Sequence, residues 1–296
     1  MSLHLRRWIA LAMVPLMCGC QAAFFRVVNA GGASATAQTR VYAPQHDLKL
    51  DVYRPSQATT GAPVALFFYG GSWRSGSRDE YAFVGKALAA SGILTMVADY
   101  RKYPQGRFPD FETDAAVATR WAIDHAREWG GDPARVFLIG HSAGAQIVAL
   151  LATDARYLAA EGLRPSHLAG VVGIAGPYDF LPLTDPKIKE VFGADSTWPA
   201  SQPVNFVDGD EPPFLLLNGS GDRVVDPHNS ASLTQRLKAA GVGVVHKEYP
   251  RVGHFRILAA MRYPALSPTL ADVADFIRHT PAAAEKARAP HTSDEP

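Results

Sequence analysis

Three residues of this chain have the types and the order that make a serine reactive: Ser142, Asp222 and His254. A serine hydroxyl is a poor nucleophile until a base removes its proton, and that base must be held in one tautomer by a third group. Ser142 lies within Gly140-His141-Ser142-Ala143-Gly144, where the glycines let the backbone turn sharply and hold the hydroxyl exposed. His254 follows Gly253 beyond the last apolar run and is the candidate base. Asp222, closing Gly219-Ser220-Gly221-Asp222, is the candidate that orients it. Asp226 competes for that role, but with Pro227 behind it reads as the cap of the next helix. Asp208 and Asp210 precede the preceding strand and fall at its wrong end, and Asp179 reads as a turn or cap residue. The oxyanion of an acyl-transfer intermediate needs backbone amides, for which Ala143 and the run Gly70-Gly71-Ser72 are the candidates. Trp73, His141 and Trp198 are candidates for the substrate pocket, and Arg101 reads as a residue that ties down its own loop.

Such residues need a frame that brings them together. Val136-Phe137-Leu138-Ile139, just before the elbow, reads as a buried central strand, and residues 145–151 after it as a buried helix. Further strands are expected at residues 47–53, 63–68, 93–98, 171–175, 214–217 and 242–249. Helices are expected from about Asp79 to Ser91, from Asp110 to Trp129, after the Asp222 loop to about Ala240, and from Pro268 to Arg278. Asp110, Glu112 and Asp114 crowd the start of the second of these, the end that a helix dipole favours for acids. Strands and helices alternate, which implies an α/β domain with a mostly parallel sheet covered on both faces. Sites in such sheets lie at the carboxyl ends of the strands. The loops carrying Gly70-Gly71, Ser142, Asp222 and His254 all fall there.

Together these segments resemble the α/β-hydrolase family, and most of all the small carboxylesterases related to hormone-sensitive lipase, acetyl esterases and kynurenine formamidase. The resemblance covers residues 45–280. It is carried by Tyr69-Gly70-Gly71-Ser72-Trp73, Asp99-Tyr100-Arg101, Gly130-Gly131-Asp132-Pro133-Ala134-Arg135-Val136, the Ser142 elbow, Gly219-Ser220-Gly221-Asp222 and Gly253-His254. It implies an α/β-hydrolase fold and a serine hydrolase that cleaves a small carboxylic ester through an acyl-enzyme, without a cofactor. Where this family usually has a histidine before the two glycines, supporting the loop, this chain has Tyr69. An amidase, formamidase or peptidase would use the same three residues, and a thioesterase for envelope acyl groups is a further alternative. A non-catalytic binding module typically loses the serine or the histidine, and both are present here.

Composition bounds the rest. The 296 residues are 47% hydrophobic and 19% charged, with a formal net charge of +1 and no basic block in the body of the chain. Nothing in them suggests nucleic-acid binding. No His/Asp/Glu cluster has the spacing of metal ligands. The N-terminus is different: Arg6 and Arg7 precede a short apolar run, Trp8 to Met17, and then Cys18-Gly19-Cys20. Residues 1–20 therefore read as an export signal of the lipoprotein type, with Cys20 as the residue lipidated after cleavage. Plain secretion with cleavage near Ala22 is the alternative. On this reading the protein is exported to a Gram-negative cell envelope, touching membrane only through a lipid anchor, or is otherwise periplasmic or secreted. Both cysteines lie in this segment, so the folded domain has no disulfide. Residues 21–44 read as a tether or lead-in, 177–212 as a lid-like insertion and 281–296 as a disordered tail.

Overall fold

The protein's structure, a computed structural model, describes residues 22–31, 37–56 and 60–283. The proposed signal with Cys20, and the tail from residue 284, lie outside the described residues. Eight strands form one sheet in the order β1-β2-β4-β3-β5-β6-β7-β8. Strands β1 (Gln38–Ala43), β2 (Leu48–Tyr53) and β4 (Leu94–Ala98) pair antiparallel where β2 meets each neighbour. From β4 onward, β3 (Ala62–Phe68), β5 (Gly131–His141), β6 (Gly170–Ile174), β7 (Phe214–Gly219) and β8 (Val244–Tyr249) are parallel. The central strands are continuous apolar runs because both of their faces are covered. Val64 to Phe68 and Val136 to Ile139 are wholly buried.

The chain reverses its direction of travel across the sheet at β3. Right-handed crossovers then send α2 (Ala82–Ala90) to one face, and α3 (Asp110–His125) and α4 (Ala143–Thr153) to the other. Contacts agree: α2 packs with α9 (Thr269–His279), and α3 with α4. The crevice at this reversal lies between the carboxyl ends of β3 and β5, where parallel sheets bind ligands. The register Phe68 to Gly140 brings the loop after β3 alongside the elbow after β5.

Within the lead-in expected at residues 21–44, the described residues pack as part of the domain. Residues 22–29 form α1, whose Phe25 and Val28 are buried, with the Phe25 ring 5.1 Å from that of Tyr81. Residues 38–43 add β1 to the sheet edge. Four of its six residues are exposed, so the strand lacks the alternation that would reveal it, and its pairing with β2 holds it instead. Two short helices carry no sequence period either: α5 (Ala155–Ala160) and α8 (His254–Ala259). The expected helix to Trp129 ends at His125 and continues as a 3-10 turn, stopped by Gly130 in the left-handed conformation. The insertion at 177–212 contains α6 (Pro186–Phe192) and two 3-10 segments. Between β7 and β8 runs α7 (His228–Ala239).

Candidate active site

The elbow is held by close backbone approach. Ser142 has φ 54° and ψ −121°, a conformation that costs a non-glycine residue energy and persists only where its surroundings impose it. A Cβ on Gly140 would lie 2.1 Å from the Gly144 carbonyl oxygen, and one on Gly144 would lie 2.1 Å from that of Phe68. Only glycine lets β3, β5 and α4 meet this tightly. The Ser142 amide donates to the Ile174 carbonyl at 2.9 Å, pinning the turn to β6.

Around Ser142 the three candidate residues form one hydrogen-bonded line. Ser142 Oγ is 2.9 Å from His254 Nε2, and His254 Nδ1 is 2.7 Å from Asp222 Oδ2. All three are buried. The other Asp222 oxygen accepts the amides of Val224 and Val225 at 2.8 and 3.0 Å, so the carboxylate cannot swing away. Burial alone would raise the Asp222 carboxyl, but the hydrogen bond and charge of His254, with those two amides, hold it below its ordinary value. The loop carrying His254 is locked to the Asp222 loop: Gly221 donates to the Val252 carbonyl at 3.0 Å. Asp226 caps α7, its Oδ1 accepting the His228 amide at 2.9 Å. Asp208 and Asp210 lie in the turn before β7, where the Glu211 carboxylate accepts the Asp208 amide. The Asp179 carboxylate accepts the Ser232 hydroxyl, and Arg101 holds Asp114 through its backbone and guanidinium.

Of the expected oxyanion donors, Gly70 is already committed: its amide donates to Tyr81 Oη at 3.2 Å. Residues 71–73 then turn with φ of 133°, 53° and 55°, closed by the amides of Arg74 and Ser75 on the Gly71 carbonyl. Among the described residues the amides of Gly71, Ser72 and Ala143 donate to no protein acceptor. Ser72, Ala143 and Ser142 line one cavity. Tyr69 turns away from it, donating to Asp99 at 2.8 Å and accepting from Lys102 at 2.7 Å.

This cavity, of about 710 Å³, is walled by Trp73, Phe180, Leu183 and Ile188 and rimmed by Leu181 and Val224. Asp179, Asp185 and Asp226 also face it. Of the three pocket candidates only Trp73 lines it. Trp198 is buried behind α6, its indole donating to the Gly193 carbonyl at 3.1 Å, so it braces the insertion. His141 lies beneath the line of three, 4.8 Å from the His254 ring, because a residue before the elbow points into the sheet's packed layer. Sequence reasoning missed Tyr81, and also Asn229, whose side-chain oxygen accepts the amides of Tyr178 and Asp179 at 2.8 Å. Neither has a motif to mark it.

Trp73 is aimed by a buried polar chain. Its indole donates to Gln146 Oε1 at 2.9 Å, and Gln146 Nε2 donates to Glu112 Oε1 and to the Ser201 carbonyl. Glu112 is fully buried in α3, with its second oxygen unpaired. Burial pushes its carboxyl well above the usual range, against the Gln146 hydrogen bond and with the help of Asp154. Because the folded pKa is raised, the neutral acid's contribution is complete below the unfolded value. It is lost as pH rises toward the folded value, at up to ~1.4 kcal/mol per unit. Glu112→Gln is therefore expected to gain melting temperature relative to the parent as pH rises above the ordinary carboxylate range. A difference that stays constant with pH would show an ionised Glu112.

A family model described as BD-FAE matches residues 50–237. Among curated proteins, an isoprenylcysteine alpha-carbonyl methylesterase of Arabidopsis thaliana is 32% identical over 222 residues, covering 68% of this chain and 52% of its own. Esterase LipC of Mycobacterium tuberculosis is 32% identical over 251 residues, covering 77% and 61%. The chain thus spans about half the length of the curated relatives it matches. A hyperthermophilic esterase from Pyrobaculum calidifontis superposes with TM-score 0.74 at 21% identity, covering 94% of this chain and 98% of that one. A truncated carbohydrate esterase from gut microbiota gives 0.72 at 22%, covering 84% and 99%. At such identities the structural likeness speaks for the fold.

Proposed function

Because this chain belongs to the BD-FAE family and folds as an α/β-hydrolase, we propose that it is a serine carboxylesterase acting on small or short-chain esters. The observation that carries this reading is the unbroken line Ser142–His254–Asp222 opening on the cavity that Ser72 and Ala143 share. His254 Nε2 takes the hydroxyl proton as Ser142 Oγ attacks the ester carbonyl. The resulting oxyanion is met by the amides of Ala143 and of the Gly71-Ser72 turn, at the N-terminus of α4 where the helix dipole favours negative charge. The imidazolium, stabilised by Asp222, returns the proton to the leaving alcohol, and water repeats the cycle to free the acid. Hydrolysis of p-nitrophenyl acetate, butyrate and octanoate, beside Ser142→Ala, tests the reading. No turnover above that variant would overturn it.

Substrate preference follows from what faces Ser142. The apolar wall of Trp73, Phe180, Leu183 and Ile188 accepts a short acyl chain, while Asp179, Asp185 and Asp226 repel an anionic one. Butyrate is expected to be preferred to octanoate, and a hemisuccinate ester to be slower than butyrate by at least about tenfold in kcat/KM. The second gap should narrow as salt screens the carboxylates. Equal rates for butyrate and hemisuccinate would show that the carboxylates do not face the acyl group.

We also propose that the protein is an envelope lipoprotein acylated on Cys20. Helix α1 begins at residue 22, so such an anchor would hold the catalytic domain directly against the membrane. Intact mass of the membrane-extracted protein tests this: an unmodified mature N-terminus would refute it.

A further inference from the structure

Beneath the site runs a buried hydrogen-bonded string that the proposed chemistry leaves unused. The Gly70 amide donates to Tyr81 Oη at 3.2 Å, and the same Oη lies 3.2 Å from His141 Nδ1. His141 Nε2 in turn lies 3.4 Å from the carbonyl oxygen of His254. The three attachment points belong to three different loops: the oxyanion loop after β3, the elbow after β5 and the base-bearing loop after β8. Gly70 cannot carry a side chain here, since a Cβ would lie 2.8 Å from that of Ser142.

Donor arithmetic fixes the order of protons along the string. The Tyr81 oxygen accepts from Gly70, which leaves its single hydrogen for His141 Nδ1. Nδ1 must then be bare, so the hydrogen of a neutral His141 sits on Nε2, aimed at the His254 carbonyl. A protonated His141 would aim a hydrogen from Nδ1 at Tyr81 and place a cation 4.8 Å from the His254 ring. Burial holds the His141 imidazole well below the ordinary histidine range, and the neighbouring His254 works in the same direction.

We propose that Tyr81 and His141 form a positioning strut that sets the oxyanion loop against the nucleophile elbow and fixes the base-bearing loop to both. Committing the Gly70 amide to Tyr81 fixes the entry to the 71–73 turn, whose free amides then need no reorganisation as negative charge develops. A neutral His141 supports His254 without opposing the positive charge that His254 takes on. The inference rests on the serine-hydrolase reading and deepens it.

Tyr81→Phe is the test, because it keeps the ring and its contacts with Phe25, Phe67 and Tyr69 while removing the hydroxyl. The expected result is a fall in kcat of roughly tenfold to a hundredfold with KM within about threefold of the parent. Affinity for an alkyl boronic acid, which mimics the tetrahedral intermediate at Ser142, should fall by the same factor as kcat/KM. His141→Asn, which can still accept from Tyr81, is expected to keep much more activity than His141→Leu. The double variant Tyr81→Phe/His141→Leu should lose little beyond the worse single change, as members of one unit do.

Activity and boronate affinity of Tyr81→Phe within threefold of the parent would overturn the strut. So would a loss of kcat matched by a rise in KM and a large drop in Tm, which would mark a general structural defect. If the parent shows no Ser142-dependent ester turnover, the esterase reading fails. The strut is then read from the rate at which a fluorophosphonate modifies Ser142, which needs the loops but no particular substrate. Equal phosphonylation rates in parent and Tyr81→Phe, or no phosphonylation in either, would overturn it there too.

Discussion

Ser142→Ala is expected to lower kcat for a p-nitrophenyl ester by roughly 10⁴-fold or more while leaving the melting temperature within about 2 °C of the parent. The size follows from chemistry: without Oγ there is no atom to carry the acyl group and no proton for His254 to move. What remains is water attack assisted by the oxyanion amides, the residual catalysis seen when a triad is dismantled. The small effect on stability follows from the backbone. Ser142 is held at φ 54° by the glycines and by its amide's bond to Ile174, and alanine meets the same restraint. Its hydroxyl has the His254 ring as its hydrogen-bond partner, at the cavity surface where water can replace it. A double variant with His254→Ala should be no slower than Ser142→Ala alone, since the two act as a unit. Residual turnover above about 1% of the parent in Ser142→Ala would place the nucleophile elsewhere.

How much of this arrangement was legible in the sequence depends on how each part is encoded. The central strands were readable because burial on both faces leaves an unbroken apolar run, as in Val136 to Ile139. Ser142, Asp222 and His254 were readable because each sits within two residues of a glycine at a strand end, and in the structure those ends come together. Gly140 and Gly144 show why the motif is strict: each lies where a single methyl group would meet a carbonyl oxygen. The edge strand β1 and helix α1 were not readable. Their residues are fixed by what they touch, Asp51 for Thr39 and Tyr81 for Phe25, across gaps in sequence that no local period records. The same holds for Tyr81 and Gln146, whose roles exist only after folding places Gly70, His141 and Trp73 around them. Gly70 shows the limit from the other side. A glycine there suits an oxyanion loop in type, but its amide serves Tyr81, and what the position requires is the absence of a side chain against Ser142.

Asp222→Asn is expected to reduce kcat by about 10³- to 10⁴-fold with little change in KM, and the cause is a tautomer. In the parent, Asp222 Oδ2 accepts from His254 Nδ1, so the hydrogen of the neutral ring lies on Nδ1 and Nε2 is bare to receive the serine proton. The amides of Val224 and Val225 would hold the asparagine oxygen where Oδ1 now lies. Its NH2 then faces His254 Nδ1, which must become the acceptor and sends the ring hydrogen to Nε2. His254 would point a proton at a hydroxyl whose proton it should take. The fold should barely change, but the pH dependence of stability should. The Asp222 carboxyl is held below its ordinary value, so its stabilisation is present above the unfolded pKa and is lost as pH falls through the folded one. Parent and Asp222→Asn should therefore differ in stability near neutral pH and converge toward the acid limit. Asp226 supplies the contrast. Asp226→Ala is expected to cost about 1 kcal/mol by uncapping α7, while kcat for a neutral ester stays far above that of Asp222→Asn. If the two variants exchanged phenotypes, the orienting acid would be Asp226, and the 2.7 Å contact between Asp222 and His254 would be a structural ion pair.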